Sequence, residues 1–287
     1  MNEIEINQNE KIEIELLLHA IYMKYGYDFR HYAKASIRRR VRHGMSKYGL
    51  PRICDLMYKL IYDSAFFDQF LLDLTVNVTE MFRDPPFFKA VRETVLPALQ
   101  KNPPIKVWHA GCATGEEAYS IAILFKEAGI EDIARIYATD TNEAVLAAAK
   151  KGIYPLDRIQ QYTTNYQKAG GLSSFSDYYT SRYGNAIMDQ NLRKRIVFSD
   201  HNLVTDDVFG DMDLILCRNV MIYFSKDLQD RVFRIFSQSL CAGGFLCLGT
   251  KESIRFSSVS DDFETILEGH RIYRKRQDPE HPDECIK

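Results

Sequence analysis

Short apolar segments alternate with helical segments over the second part of the chain, and this alternation constrains the fold more than any other feature. The apolar segments are rich in β-branched residues and read IKVWHAG, IARIYATD, KRIVFSD, MDLILC and GGFLCLGT. Helical patterns lie between several of them, at residues 116–129, 142–151 and 226–241. Strands that alternate with helices are typical of a parallel sheet with helices on its faces. We therefore predict an α/β domain over residues 105–287.

The alternation is interrupted between Lys151 and Arg195. More than forty residues, rich in Tyr, Ser, Gly and Asn, separate the preceding helix from the next strand. A simple crossover connection is far shorter. We predict an inserted antiparallel β-subdomain over residues 155–194, with a hairpin around YGNA. A long surface loop with one helix is the alternative.

The first part of the chain shows helical periodicity and almost no strand signal. In EKIEIELLLHAIYMKYG, apolar residues recur at positions 14, 17, 18, 21 and 25, and Gly26 can end the helix. Two further helix-like segments follow, so we predict a small helical domain over residues 1–75. Residues 76–104 form a linker, in which DPPFF predicts a rigid turn before a short helix.

A basic segment lies within the predicted helical domain. No acidic residue occurs from Phe29 to Cys54, although this segment contains eight Lys and Arg residues. On a helix, one basic stripe and one apolar stripe lie side by side; they consist of Lys34, Arg38 and Arg42, and of Ile37, Val41 and Met45. Such a face is typical of a solvated surface or of a nucleic-acid footprint.

Composition excludes several classes of protein. The formal net charge is -2, so the chain as a whole favours no polyanionic partner. No apolar segment approaches the length of a membrane span, and the acidic start MNEIEINQNEKIEIE is unlike a signal peptide. The six cysteines include no C-x-x-C pair, which predicts reduced thiols and no metal site. We expect a cytoplasmic protein without membrane insertion.

A glycine-rich turn, WHAGCATGEEAYS, follows the first predicted strand. Its glycines, Gly111 and Gly115, are followed directly by Glu116 and Glu117. In open α/β sheets, ligands bind beyond the carboxyl ends of the strands, and glycines let the backbone approach them closely. The turn has no Lys or Arg, and its spacing fits neither the dinucleotide fingerprint nor the phosphate loop. The pattern indicates a ligand that carries no phosphate and is compatible with neighbouring carboxylates.

The second predicted strand ends at Asp140, about 25 residues after the turn. A carboxylate at this position suits a ribose diol, because it can accept both hydroxyl protons. A ribose-bearing ligand whose other end favours carboxylates suggests S-adenosylmethionine, which carries an ammonium and a sulfonium. A nicotinamide enzyme with a degenerate turn is the alternative on these residues alone.

Four motifs carry a resemblance to a known family. NVTEMFRD (77–84), WHAGCATGEEAYSIA (108–122), YATDTNEAVLAAAKKGIY (137–154) and DLILCRNVMIYF (213–224) resemble, in this order, the CheR-type chemotaxis-receptor glutamate methyltransferases. The resemblance extends from about residue 10 to about residue 275. It implies a Rossmann-like S-adenosylmethionine-dependent methyltransferase domain with a small antiparallel β-subdomain insertion, preceded by a small all-α N-terminal domain. The implied reaction forms methyl esters on glutamate side chains of chemoreceptors and releases S-adenosylhomocysteine.

The resemblance also implies the site residues. The family's cofactor contacts correspond to Asn77, Thr79, Arg83, Asp140, Asn202, Leu203, Arg218 and Asn219, together with a glutamate of the turn, either Glu116 or Glu117. Tyr223 corresponds to a tyrosine beside the transferred methyl group. We expect Arg83 to hold the substrate carboxylate as a fork donor, and Tyr223 to act by a hydrogen bond or by its ring face. The carboxylate is already ionised near neutral pH, so no general base is needed.

Ordinary structural roles are the alternatives for these residues. Asn77 and Thr79 can cap a turn, and Arg83 can belong to a surface ion pair. Asp140 can cap the following helix, because DTNEA is a good helix start. Tyr223 lies in an apolar segment that would ordinarily be core.

The resemblance finally implies partners. Arg38, Arg39 and Arg42 correspond to a basic, substrate-binding face that meets the acidic methylation region of a receptor's helical bundle. We expect a monomer. We expect no nucleic-acid partner, because CRNVMIYF lacks the prolines of the base-methylation motif. The alternatives are a methyltransferase that acts on another signalling protein or on nucleic acid, and a non-catalytic regulatory module that binds the cofactor. Some family members bind a receptor tether peptide through a glycine-rich loop; here RYGNAI is short, with only Gly184, so we predict independence from a tether.

Overall fold

The computed structural model describes residues 3–75 and 79–277. These residues form two compact units. One contains residues 3–75 together with Tyr223–Gln229, and the other contains residues 79–222 and 230–277. Among the described residues, no helix combines the length and the apolar character that crossing a membrane requires.

The first unit is a helical bundle. Its helices are α1 (Glu3–Tyr25), α2 (Lys34–Tyr48), α3 (Ile53–Tyr62) and α4 (Ser64–Leu74). Helix α1 ends where the sequence predicts, because Gly26 adopts a left-handed φ of 78°. The apolar stripe of α2 is also confirmed: Ile37 and Val41 are buried, and Met45 packs against the same core.

The second unit is built on a seven-stranded sheet in the order β6-β2-β1-β7-β8-β10-β9. The strands are β1 (Ile105–Ala110), β2 (Ala134–Asp140), β6 (Ile196–Asp200), β7 (Met212–Cys217), β8 (Leu240–Leu248), β9 (Phe263–Leu267) and β10 (Ile272–Lys275). Strands β6, β2, β1, β7 and β8 run parallel and are the five strands predicted from the sequence. Strands β10 and β9 pair antiparallel at one edge and were not predicted.

Helices connect and flank these strands. They are α5 (Pro85–Ala90), a π-helical turn (Val91–Val95), α6 (Leu96–Leu99), α7 (Glu116–Glu127), α8 (Glu143–Lys151), α9 (Leu156–Lys168), α10 (Gln190–Lys194) and α11 (Lys226–Ser239). Helix α5 is the short helix expected in the linker, but it begins at Pro85, so the two prolines form its first turn rather than a turn before it. The Rossmann-like α/β class is therefore confirmed.

The predicted insertion is a three-stranded antiparallel sheet. It contains β3 (Ile153–Pro155), β4 (Tyr179–Arg182) and β5 (Asn185–Met188), in the order β3-β5-β4. Strands β4 and β5 form the hairpin predicted around YGNA. Its two-residue turn consists of Tyr183 and Gly184, both with positive φ, as in a type I′ turn. The alternative of a long loop is wrong.

The thiol prediction holds for most cysteines. Cys54, Cys112, Cys217 and Cys247 are free. Cys241 is disulfide-bonded, so the prediction of a reduced thiol is wrong at that position. In the part of the chain that the structure describes, no group of three or more His, Cys, Asp or Glu residues is arranged to hold a metal ion.

Candidate active site

The glycine turn connects β1 to α7 with a backbone that side chains would obstruct. Gly111 and Gly115 have φ values of 75° and 90°. A Cβ atom at Gly111 would lie 2.4 Å from a methyl of Val220, and one at Gly115 would lie 2.9 Å from Cβ of Ala149. Both positions therefore need glycine for conformation and for space. The two glycines place backbone without side chains at the carboxyl end of β1.

Asp140 closes this turn from the end of the neighbouring strand, β2. One carboxylate oxygen accepts a hydrogen bond from the backbone N–H of Ala113 at 2.9 Å, and the other accepts from the N–H of Asn142 at 3.0 Å. Burial raises the pKa of Asp140. Helix α8 is capped by Asn142, whose side chain accepts from the N–H of Ala144, so the alternative of Asp140 as the helix cap is wrong. A carboxylate has about four acceptor positions, which leaves capacity for ligand hydroxyls.

The two adjacent glutamates of the turn have different surroundings. The carboxylate of Glu116 accepts hydrogen bonds from the hydroxyl of Thr114 at 2.6 Å and from that of Tyr162 at 3.4 Å. Nη1 of Arg158, on the same helix as Tyr162, lies 3.8 Å from Oε1 of Glu116. Burial raises the pKa of Glu116. Glu116 thus joins the turn to helix α9.

Glu117 instead pairs with Arg218, the arginine that follows β7. Its Oε2 atom lies 2.7 Å from Nη1 of Arg218, and its Oε1 atom lies 3.3 Å from Nε2 of His109. Burial alone would raise the pKa of Glu117, but Arg218 and His109 outweigh it and lower this pKa to about 2. Although Nε2 of His109 is near, Oε1 accepts no well-aligned hydrogen bond from the described residues. The site therefore contains an ionised, buried carboxylate with an unsatisfied oxygen.

Arg218 joins this carboxylate to the linker. Its Nη2 atom lies 2.7 Å from the carboxylate of Asp84, and its Nη1 atom also donates to the backbone carbonyl of Arg83 at 3.3 Å. The guanidinium lies 3.9 Å from the ring centroid of Phe87. A planar fork donor suits two carboxylates and a ring face at once, which lysine could not match. Arg218 thereby fixes the backbone that carries Arg83.

The linker backbone is strained on both sides of Arg83. Phe82 and Asp84 have φ values of 53° and 59°, which non-glycine residues rarely adopt. Each such conformation costs about 1–3 kcal/mol and persists only where the surroundings enforce it. Phe82 is fully buried, and its N–H donates to the hydroxyl of Ser120. Such strain clusters at functional sites, which makes the segment around Arg83 a candidate for a functional role.

The loop after β7 is held by one buried carboxylate. Glu252 accepts hydrogen bonds from four backbone N–H groups, those of Asn219, Val220, Met221 and Gly249, at 2.7–3.0 Å. Asn219 has a left-handed φ of 63° within this loop. Its side-chain oxygen is buried and has no donor among the residues that the structure describes. The loop therefore offers a second unsatisfied acceptor next to Arg218 in the chain.

Asn202 and Leu203 lie in an ordered loop after β6. The side-chain oxygen of Asn202 accepts from the N–H of Val204 at 2.9 Å, and Leu203 is buried. Arg231 of α11 donates to the backbone carbonyl of Leu203 at 3.0 Å. These contacts fix the loop at the carboxyl end of β6, the strand next to the one that ends in Asp140.

Other predicted residues lie elsewhere. Tyr223 belongs to the helical unit, where the guanidinium of Arg40 lies 4.6 Å from its ring centroid and its carbonyl accepts from the N–H of Ala33. Its side chain is half-buried rather than core. Thr79 is half-buried in the linker, and Asn77 lies outside the described residues.

The predicted substrate-binding arginines form part of the helical unit. Arg38 and Arg42 both bind the carboxylate of Glu10 on α1, with 2.6 Å and 2.9 Å for the two hydrogen bonds of Arg42. Arg39 is exposed and makes no ion pair within the described part of the chain. Glu10 of α1 therefore partly neutralises the basic stripe, and the sequence pattern did not predict this pairing.

Three contributors to the site were missed in the sequence. His109 lies in a buried strand, Asp84 is the last residue of the motif NVTEMFRD, and Glu252 lies in the loop after β8. Only Asp84 had a signal, because it directly follows Arg83. The contacts of Glu252 and His109 depend on strand order, which no local pattern reveals.

Comparison with known families decides between the alternatives. The family model described as "CheR methyltransferase, all-alpha domain" matches residues 12–75, and the one described as "CheR methyltransferase, SAM binding domain" matches residues 77–271. The chain belongs to the CheR methyltransferase family. The resemblance based on four motifs is thereby confirmed, and so is S-adenosylmethionine as the cofactor of this CheR-family methyltransferase. The nicotinamide alternative is wrong.

Relatives of this CheR-family chain span most of its length. It is 51% identical to a Pseudomonas putida protein named as a methyltransferase, Cher3, over 268 residues, which cover 93% of this chain and 98% of that protein. It is 34% identical to chemotaxis protein methyltransferase 2 of Pseudomonas aeruginosa over 193 residues, or 66% and 68% of the two chains. It is 29% identical to a chemotaxis protein methyltransferase of Listeria monocytogenes over 231 residues, or 80% and 85%.

The residues of the CheR-family site fit this cofactor chemically. The two glycines of the turn offer backbone without side chains, and Asp140 offers acceptor positions for a diol. Within the described residues, Glu117 and Asn219 each have a buried oxygen that accepts no well-aligned hydrogen bond. A cation with several N–H donors can satisfy such oxygens, whereas a phosphate would be repelled by Glu117.

Proposed function

We propose that this protein transfers methyl groups from S-adenosylmethionine to glutamate side chains of a chemoreceptor. The observation that carries the cofactor side of this proposal is the ionised carboxylate of Glu117, held by Arg218, with one oxygen that accepts no well-aligned hydrogen bond from the described residues. The chemoreceptor as substrate is supported by relatives that are named chemotaxis protein methyltransferases. When bound, the cofactor supplies an electrophilic methyl group on a sulfonium.

Of the two adjacent glutamates, we assign the cofactor contact to Glu117. Glu117 Oε1 and Asn219 Oδ1 would accept hydrogen bonds from the α-ammonium group, and Asp140 would accept from the ribose hydroxyls. Asn202 and Leu203 would border the adenine ring. Glu116 binds Thr114 and Tyr162 and would act only through the structure of the turn.

Arg83 would orient the substrate carboxylate. Its backbone is fixed by the strained conformations of Phe82 and Asp84 and by the hydrogen bond from Arg218. A fork donor held in this way aligns a carboxylate oxygen with the methyl group at little further entropic cost. The substrate oxygen then forms the new bond to carbon while the carbon–sulfur bond breaks, and no general base is required.

Tyr223 would contribute through its hydroxyl. One face of its ring already carries the guanidinium of Arg40, which is buried and also donates to the carbonyl of Leu74. That cation disfavours a second positive charge on the ring, so the hydrogen-bonding role is favoured over a ring–sulfonium contact.

The helical unit would bind the substrate helix. A groove of about 920 Å³ between α1 and α2 has an apolar floor that includes Ile14 and Ile37, and its rim carries Lys34, Arg38 and Arg39. An apolar groove with a basic rim suits an acidic amphipathic helix, which is the form of a receptor segment rich in glutamates.

Base-labile methyl transfer tests this proposal. The protein is incubated with methyl-labelled cofactor and with membranes containing chemoreceptors, and the labelled protein is then treated with alkali. We expect release of labelled methanol, and we expect Arg83→Lys to lower kcat at least tenfold while Arg182→Lys leaves it unchanged. Label that stays on protein or nucleic acid at high pH would exclude glutamate esters.

Independence from a receptor tether stays a prediction. The hairpin turn of the insertion contains only Tyr183 and Gly184, so no glycine-rich loop is available to hold a peptide. Calorimetric titration with a receptor C-terminal pentapeptide should show no binding, and micromolar affinity would refute the prediction.

A further inference from the structure

A basic cavity lies in the α/β unit apart from the candidate active site. It has a volume of about 410 Å³ and is lined by Lys126, Glu131, Arg135, Asn191, Leu192, Lys194 and Arg195. Four of these seven residues are cationic and one is acidic. A cavity of this size is within the range of small-molecule binding sites.

Most cations of this cavity have no ion-pair partner. Arg195 forms an ion pair with Asp132, whereas Lys126, Arg135 and Lys194 form none among the residues that the structure describes. Like charges that line one cavity repel each other, and Glu131, the one acidic residue of the lining, offsets only part of this repulsion. An anionic ligand would remove the remaining repulsion.

Two further contacts fix the cavity. Nη1 of Arg135 donates to the backbone carbonyl of Lys194 at 3.2 Å, and Nζ of Lys126 lies 5.6 Å from the ring centroid of Tyr178. Leu192 is buried and supplies the apolar part of the lining. The cationic side chains of the lining come from separate elements, α7, β2 and the end of α10.

The cavity lies at the amino ends of strands β2 and β6, whereas the candidate active site lies at the carboxyl ends. Arg135 is at the amino end of β2, whose carboxyl end carries Asp140, and Lys194 and Arg195 directly precede β6. Strands of this length span about 15–25 Å. A ligand in the cavity would therefore not touch the turn that holds the cofactor.

We propose that this cavity binds a small polyphosphorylated ligand, of the class of a nucleoside diphosphate. Four cations against one acid suit a group with two or more negative charges, and arginine forks suit phosphate oxygens. The apolar side chain of Leu192 and the side-chain amide of Asn191 suit a base or sugar beside the phosphates. A concave site of seven residues favours a small molecule over a nucleic acid, as does the net charge of -2.

Calorimetric titration with ADP and with inorganic pyrophosphate tests the proposal. Both titrations use protein saturated with S-adenosylhomocysteine, so that adenine cannot enter the cofactor site. We expect saturable one-to-one binding of ADP below about 100 μM at 0.15 M salt, and weaker binding of pyrophosphate. The double variant Arg135→Gln/Lys194→Gln should bind at least tenfold more weakly.

The matched control is Lys168→Gln/Arg182→Gln, which removes the same charge from exposed sites outside the cavity. It should bind ADP as the unaltered protein does. The proposal is wrong if the protein saturated with S-adenosylhomocysteine shows no saturable binding of ADP, or if both double variants lose this binding equally. Methyl transfer to receptors is measured separately, so this outcome does not depend on the proposed function.

Discussion

Nη1 of Arg218 lies 2.7 Å from the carboxylate of Glu117, and Nη2 of the same guanidinium lies 2.7 Å from the carboxylate of Asp84. One side chain thus connects the start of α7, the end of β7 and the linker. Glu117 and Arg218 are both buried, so each is the main compensation for the other's charge. This pairing supports the proposal that Glu117, rather than Glu116, contacts the cofactor.

The first prediction separates the two glutamates. Glu117→Gln should weaken binding of S-adenosylmethionine at least tenfold, because the cationic ligand loses its ionised partner. Glu116→Gln should change this affinity less than threefold, because that carboxylate binds Thr114 and Tyr162 instead. Calorimetry on both variants measures the difference, and equal losses would refute the assignment.

The second prediction concerns Arg218. Arg218→Met removes the charge and leaves two carboxylates, those of Glu117 and Asp84, without their partner. Breaking a buried ion pair typically costs about 3–5 kcal/mol. Urea unfolding should show a loss in the free energy of unfolding of this order. Arg182→Met, at an exposed position, should change it by less than about 0.5 kcal/mol.

The third prediction is a pH dependence. The pKa of Glu117 is about 2 in the folded protein and has a reference value of 4.5, so the ionised carboxylate stabilises the fold. This contribution, about 3 kcal/mol, is present above pH 4.5 and is lost as the pH falls towards 2 and below. Between pH 5 and pH 2, the free energy of unfolding should therefore fall more steeply for the unaltered protein than for Glu117→Gln. Parallel pH profiles would contradict it.

The fourth prediction concerns the loop after β7. Glu252→Ala removes the acceptor of four backbone N–H groups and leaves them buried without a partner. Unsatisfied buried donors cost about 1–3 kcal/mol each before relaxation. The variant should unfold at lower urea and lose cofactor affinity, because Asn219 is no longer held. Glu264→Ala, on the edge strand β9, is the control and should leave affinity unchanged.

Local patterns predicted most of the fold and only part of the site. The five parallel strands and the insertion could be recognised because each carries its own period or turn residues. Strands β9 and β10 were missed because they have only five and four residues, with charged residues among the apolar ones, and lie outside the alternation of strands and helices. Within the site, Glu116 and Glu117 could not be separated, because their roles depend on Arg158 and Arg218, which lie far away in sequence. Local sequence patterns do not report contacts between residues that are far apart in the chain, so these pairings could not be predicted.

The last prediction concerns the basic face of the helical unit. Glu10 binds Arg38 and Arg42 in the manner expected of a substrate glutamate, with both oxygens engaged by the fork of Arg42. An acidic substrate helix must compete with this carboxylate for the same donors.

Glu10→Gln should therefore tighten binding of a receptor segment several-fold at low salt and steepen its salt dependence. Stability should change by only about 1 kcal/mol, because the pairs are partly exposed. Glu13→Gln, on the same helix but without these partners, provides the control. If Glu10→Gln weakens binding, Glu10 acts by orienting the arginines for the substrate rather than by occupying them.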